Sequence, residues 1–152
     1  MLKIAEAAGV GGMIGGQVRD VLWEKRKRIS KKELIEIHHN KTAKMFIAAF
    51  GAGAAVAGAN KTIIKKMEKI GERIGLAFQI HNDLQDVLWT SEQTGKKSGG
   101  DARNNKHTYV TVFGLEAAKT KYAVLVNEAI EMLQQYPNSK PVIDIIKQFA
   151  KI

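Results

Sequence analysis

The segment Phe78 to Asp86, FQIHNDLQD, sits between the apolar runs IGLAF and VLW and limits what this chain can become. A helix turns by roughly 100° per residue, so Gln79, Asp83 and Asp86, at i, i+4 and i+7, project in nearly the same direction and form one polar stripe. The flanks read as core, and a buried carboxylate is costly unless something positive meets it. The pattern predicts a long interior helix whose polar side meets a cation, a basic side chain, or both.

Helical periodicity dominates the rest of the chain, and no segment alternates as a strand would. Residues 2–24 read as a first helix. Ser30 offers an N-cap, with Glu33 three residues on, for a second helix to about Ala57. After a break at Gly58 to Asn60, a third helix spans about Lys61 to Trp89 and carries the stripe. A glycine-bearing polar loop, Thr90 to Lys106, leads to a short helix in TYVTVFG, and two helices, residues 115–136 and 138–151, close the chain. The fold expected is all-α, about six helices in a single domain over residues 1–152.

The 152 residues, 45% of them hydrophobic, suit one core. Cysteine is absent, which excludes a disulfide framework and any thiolate metal site. The N-terminal MLKIAEAAG does not read as a secretory signal, so a cytoplasmic location is expected. Met45 to Ala59 is the longest uncharged run and is too short to span a bilayer. The formal charge is +9, concentrated in KRKRISKK, Lys25 to Lys32. Such a run is ordinarily a solvated loop, or else it meets an anionic partner. No interleaved aromatic platform or nucleic-acid motif accompanies it, and nucleic-acid binding is not expected.

Five glycines fall between Gly9 and Gly16, each costing about 1 kcal/mol against Ala in a helix interior. Either another helix approaches closely there or the backbone opens beside a ligand. Gly51, Gly53 and Gly58 repeat the theme in the second helix, where close packing is the expected cause. Among the histidines, His38 and His39 are expected at the surface or at a cap, and His81 in packing, because it projects away from the stripe. Trp23 and Trp89 read as core or interface anchors, and Asp101 as a loop turn residue or a supporting charge.

Three polar sets interrupt otherwise apolar helices: Gln17 with Asp20, Lys41 with Thr42, and the stripe itself. Lys96 in the loop is a fourth. Carboxylates, lysines and amide or hydroxyl oxygens are the parts that hold a metal-bound polyphosphate. Mg²⁺ takes a few carboxylates with phosphate oxygens and retained waters, and lysine balances the remaining charge.

The ordered segments GGMIGGQVRD, HHNKTAKMF, IGERIGLAFQIHNDLQD and TGKKSGGDARNNKHTYVTVFGLEAA resemble the C-terminal half of trans-isoprenyl diphosphate synthases, the farnesyl and geranylgeranyl diphosphate synthase family. The resemblance covers essentially the whole chain. It implies the C-terminal half of an isoprenoid-synthase-type helical bundle and an Mg²⁺-dependent prenyl transfer from an allylic diphosphate to isopentenyl diphosphate. It implies metal ligation by Asp83 and Asp86 in the second aspartate-rich motif, with Asp20 beside the metals. It assigns the allylic diphosphate to Lys41, Lys96, Lys106 and Gln17. Thr42 and Gln79 would set oxygen dipoles beside the allylic cation.

Two departures from the family pattern stand out. Asn82 occupies the leading aspartate position of the motif, where its neutral amide oxygen would make a weaker ligand. The family's N-terminal half, with its DDxxD motif and isopentenyl diphosphate site, has no counterpart here. The resemblance therefore implies a split enzyme completed by a second chain carrying the N-terminal half, with apolar faces of the first two helices left for that partner. A non-catalytic subunit that stabilises or tunes a complete synthase, and a fragment of an ordinary full-length enzyme, are the alternatives.

Overall fold

The computed structural model describes residues 2–89 and 106–149. The helices are α1 (Leu2–Ala8), α2 (Met13–Glu24), α3 (Lys31–His38), a π-helical turn (His39–Ala43), α4 (Lys44–Val56), α5 (Lys61–Leu88), α6 (Tyr109–Phe113), α7 (Leu115–Gln134) and α8 (Lys140–Phe149). No strand occurs among the described residues. The all-α expectation holds, and so do most of the helix boundaries.

The local signals act as their chemistry requires. Ser30 accepts from the Glu33 backbone N–H, and the Glu33 carboxylate accepts from the Ser30 backbone N–H at 2.7 Å, a complete capping box for α3. The Ser30 backbone N–H, helped by its hydroxyl, holds the Glu33 carboxyl below the usual carboxylate range. Asn60 caps α5 through the Ile63 N–H at 3.0 Å. Gly58, at φ 75°, takes the left-handed turn that ends α4. Its role is therefore a helix stop rather than close packing, and Gly53 likewise has no atom near where a Cβ would stand. Of the three, Gly51 alone meets a neighbour, the side chain of Glu68.

Residues 2–24 are not one helix. The chain breaks at Gly9 to Gly12, where the Gly12 N–H bonds back to the Gly9 carbonyl at 2.9 Å, and α2 starts in a new direction. Three of four consecutive residues being glycine lowers the stability of a continuous helix enough for tertiary packing to decide. The break lets α1 lie on α4 while α2 lies on the π-helical turn.

The 28-residue α5 is central, packed against α4 on one side and α7 on the other. Leu34, Ile70, Ile80, Leu84, Leu125 and Leu133 form the heart of the core, with Ile143 and Ile146 of α8 closing one edge. Gly71 and Gly75, one turn apart on α5, set the α4–α5 spacing. A Cβ on Gly75 would stand 2.6 Å from the Ala43 Cα, and one on Gly71 would stand 2.6 Å from the Phe46 carbonyl oxygen. Both obstacles are backbone, so neither can give way cheaply. Gly75→Ala is expected to destabilise by about 1–3 kcal/mol, a fall of several degrees in Tm. Gly53→Ala, an exposed helical position, is expected to gain about 0.5–1 kcal/mol. Paired thermal melts check both signs.

Candidate functional site

The site is built where α2, the π-helical turn, α5 and the start of α6 converge. Gly16 makes that convergence possible, since a Cβ there would lie 2.7 Å from the Lys41 Cα. Of the two explanations open for the glycine run, close approach of a second backbone holds at this position. The π-helical turn inserts an extra residue into the α3–α4 helix and shifts its register. Adjacent residues thereby face different neighbours. Lys41 Nζ reaches Asp20 Oδ2 on α2 at 2.5 Å, whereas Thr42 Oγ1 donates to Gln79 Oε1 on α5 at 3.0 Å.

The stripe continues inward from there. Gln79 Nε2 donates to Asp83 Oδ1 at 3.1 Å, and the Tyr109 backbone N–H, at the first turn of α6, donates to Asp83 Oδ2 at 2.7 Å. His38 Nε2 stands 3.7 Å from the same oxygen. Asp83 is 3% exposed and so lies inside the protein, meeting donors from α5 and α6 with the α3 imidazole beside it. With Asp83 accepting from its NH₂, the Gln79 amide turns its Oε1 towards Thr42. That oxygen in turn obliges the Thr42 hydroxyl to donate, which leaves the Thr42 lone pairs available on the outer side. One buried charge thus orders the polarity of two side chains beyond it.

His38 corrects the surface or cap placement expected for it: it is 5% exposed, with its ring 6.4 Å from that of Tyr109. Burial pushes its pKa down to about 4, with Lys41 adding to the depression and Asp20 opposing it. His39 is half-buried, 3.4 Å from Glu72. His81 packs as expected, stacked on Tyr122 at 5.6 Å and edge-on to Trp89 at 6.1 Å. Trp23 carries the Arg26 guanidinium over its ring at 4.7 Å.

The remaining candidates are more dispersed. Gln17 is exposed one turn before Asp20, Asn82 is exposed, and Asp86 is half-buried on the stripe. Lys106 Nζ lies 3.9 Å from Glu24 at the end of α2, one helical turn beyond Asp20. Lys96 and Asp101 lie outside the described residues. No three acidic or imidazole groups among the described residues converge to hold a metal. The oxygen donors present suit a hard cation such as Mg²⁺, but as a partial set that phosphate oxygens and further ligands must complete.

Sequence inspection missed two participants, His38 and the Tyr109 N–H. His38 was recoverable, because Leu34, His38 and Lys41 stand at i, i+4 and i+7 and so share a face. The Tyr109 contact depends on where α6 docks and has no signature in the sequence.

Comparison with known proteins defines the class and then the family. The backbone superimposes on an FPP/GFPP synthase from Zymomonas mobilis with a TM-score of 0.79 at 27% identity, covering 97% of this chain and 49% of that one. A heptaprenyl diphosphate synthase from Staphylococcus aureus gives a TM-score of 0.86 over 97% of this chain and 58% of its own; at 17% identity it speaks for the fold alone. This is the all-α fold of isoprenyl diphosphate synthases. The chain belongs to the polyprenyl synthetase family, whose sequence model matches residues 3–148. It is 38% identical over 131 residues to the farnesyl diphosphate synthase of Bacillus subtilis, covering 86% of this chain and 44% of that protein. Against the geranylgeranyl diphosphate synthase of Cyanophora paradoxa the identity is 33% over 144 residues, with 94% and 48% covered. The chain spans about half the length of the curated relatives it matches.

His38 generates a pH prediction. Its folded pKa, about 4, lies below the unfolded value of 6.5, so the unfolded chain takes up the proton first as pH falls. The stability associated with neutral His38 is complete above about pH 6.5 and drains away as pH falls towards about 4. Urea unfolding of the wild type between pH 7.5 and 5 is expected to show this loss, and His38→Gln to lack that component of it.

Proposed function

We propose that this chain is the C-terminal part of a trans-prenyl diphosphate synthase, acting with a second polypeptide that supplies the DDxxD motif and the isopentenyl diphosphate site. The observation that carries the reading is the Lys41–Thr42 pair, one residue aimed at Asp20 and the next at the Gln79–Asp83 relay. A cation for a leaving group and outward oxygen dipoles for a carbocation are set side by side. Prenyl transfer needs both at once, because the allylic carbon–oxygen bond breaks into a diphosphate and a cation.

In this proposal Lys41 exchanges its Asp20 partner for the allylic diphosphate, helped by Lys106, Gln17 and Lys96. Thr42 Oγ1 and Gln79 Oε1, already oriented by Asp83, stabilise positive charge on the allyl carbon without reorganising. The double bond of isopentenyl diphosphate attacks that carbon, and loss of a proton completes the product. Mg²⁺, when bound, would neutralise diphosphate charge, held by Asp86 and the Asn82 amide oxygen with Asp20 at the margin. Asp83, buried as it is, serves the set by holding the stripe in place, and any direct share it takes in a metal would require its present donors to move.

The surface of α2 supports completion by a further half. Ile14, Val18, Val21 and Leu22, at i, i+4, i+7 and i+8, form one apolar stripe and are 52%, 52%, 49% and 58% exposed. An unbroken stripe of that kind marks a contact surface. The relatives are about twice as long as this chain, which supplies the chemistry of the occupant: helices of the complementary half of the same fold.

Asn82 favours the alternative, a non-catalytic subunit that stabilises or tunes a complete synthase, because a neutral ligand weakens the metal set. Asp86→Ala separates the two without disturbing the buried relay. The chain alone, given an allylic diphosphate, isopentenyl diphosphate and Mg²⁺, is expected to make no product, and adding the complementary half is expected to restore elongation. Within that complex Lys41→Ala is expected to lower kcat by about 10²- to 10³-fold, with Asp86→Ala also strongly impaired. Full activity of either variant contradicts the catalytic assignment, and activity of the lone chain contradicts the need for a partner.

A further inference from the structure

The basic run expected to be a solvated loop is tied down on one side. His107 Nε2 is 2.8 Å from the Arg26 carbonyl oxygen, and an oxygen acceptor there requires that nitrogen to carry the proton. This hydrogen bond joins the α2–α3 loop to the segment just before α6, 81 residues away in sequence. Between the two lies a cleft of about 460 Å³ lined by Lys27, Arg28, Lys106, His107 and Thr111, with Ile29 and Val112 forming its apolar part. Among the described residues no acidic side chain lines it.

Its cations differ in what they already do. Arg26 is taken by Glu33 at 3.1 Å and by the Trp23 ring, and Lys106 has Glu24 at 3.9 Å. Lys27 and Arg28 are exposed, and neither has an acidic side chain within 4.0 Å among the described residues. Two exposed cations beside an imidazole and a hydroxyl in a concave place raise a positive potential, which an anion relieves. A guanidinium fork beside point-charge ammonium groups and a hydroxyl is the donor set that phosphate oxygens take.

We propose that this cleft is a second anion site, bordering the Lys41–Asp20 region at Lys106, which binds the diphosphate group of a soluble ligand through Lys27 and Arg28 with His107 and Thr111 on the opposite wall. The same donors could receive phosphate from a lipid headgroup, and the experiment separates the two sources. The proposal rests on this cleft and stands whether or not the prenyl-transfer reading does. Lys106 is shared with the proposed substrate set, so the test leaves that residue alone.

Binding of inorganic diphosphate, without Mg²⁺ and at fixed ionic strength, is measured by calorimetry on the whole chain. The variants are Lys27→Gln/Arg28→Gln and a control of equal charge change on α5, Lys65→Gln/Lys66→Gln. The first pair is expected to weaken binding at least fivefold and the control less than twofold. In the wild type the His107 ring proton resonances are expected to move on titration while those of His39 stay in place. Equal weakening by both pairs, or no effect of the first, overturns the site in favour of diffuse charge. If phosphatidylglycerol vesicles, but not diphosphate, depend on Lys27 and Arg28, the soluble ligand is wrong and a lipid headgroup is the source.

Discussion

A single carboxylate in the interior, Asp83, is the constraint on which the rest depends. It is almost wholly buried and meets the Gln79 amide, the Tyr109 backbone N–H and the His38 imidazole, groups from α5, α6 and α3. A charge in such a place is tolerated only while its donors are all present, so it couples the docking of three elements. It also sets a direction. Asp83 accepts from the Gln79 amide nitrogen and the Gln79 oxygen accepts from the Thr42 hydroxyl, so the three side chains share one polarity.

Close backbone packing makes that direction useful. Gly16 lets α2 lie on the π-helical turn, and Gly75 lets α5 lie against its other side at Ala43. Lys41 and Thr42 are consecutive, yet one is held by α2 and the other by α5. Successive helical residues project roughly 100° apart, enough for one to face α2 and the next α5. The extra residue of the π-helical turn adjusts the register at that point, and a diphosphate-binding cation comes to stand next to a cation-stabilising oxygen.

Much of this was legible in the sequence, for identifiable reasons. The helices follow from period and from caps, and Ser30 with Glu33 did in the structure what their spacing implied. The polar stripe was legible because Gln79, Asp83 and Asp86 are chemically anomalous among apolar neighbours. What escaped depends on tertiary geometry. The break at Gly9 to Gly12 pits weak helix propensity against the docking of α1 on α4, a contest that local sequence does not decide. His38 looked like a surface residue because its partner, Asp83, lies 45 positions away. Among the described residues the stripe's Asp83 meets the Gln79 amide, the Tyr109 N–H and the His38 imidazole, partners set by how α3, α5 and α6 dock.

The relay and the exposed apolar face of α2 belong together. The first is finished internally and the second is not, so the chain presents a rigid, oriented half-site on a body whose outer helix is uncovered. The most direct test of the central claim is NMR measurement of scalar couplings across hydrogen bonds, from Gln79 Nε2 and from the Tyr109 amide nitrogen to the Asp83 carboxylate carbon. Both couplings are predicted to be present. Their absence, or a Gln79 amide turned so that its nitrogen faces Thr42, would contradict the account.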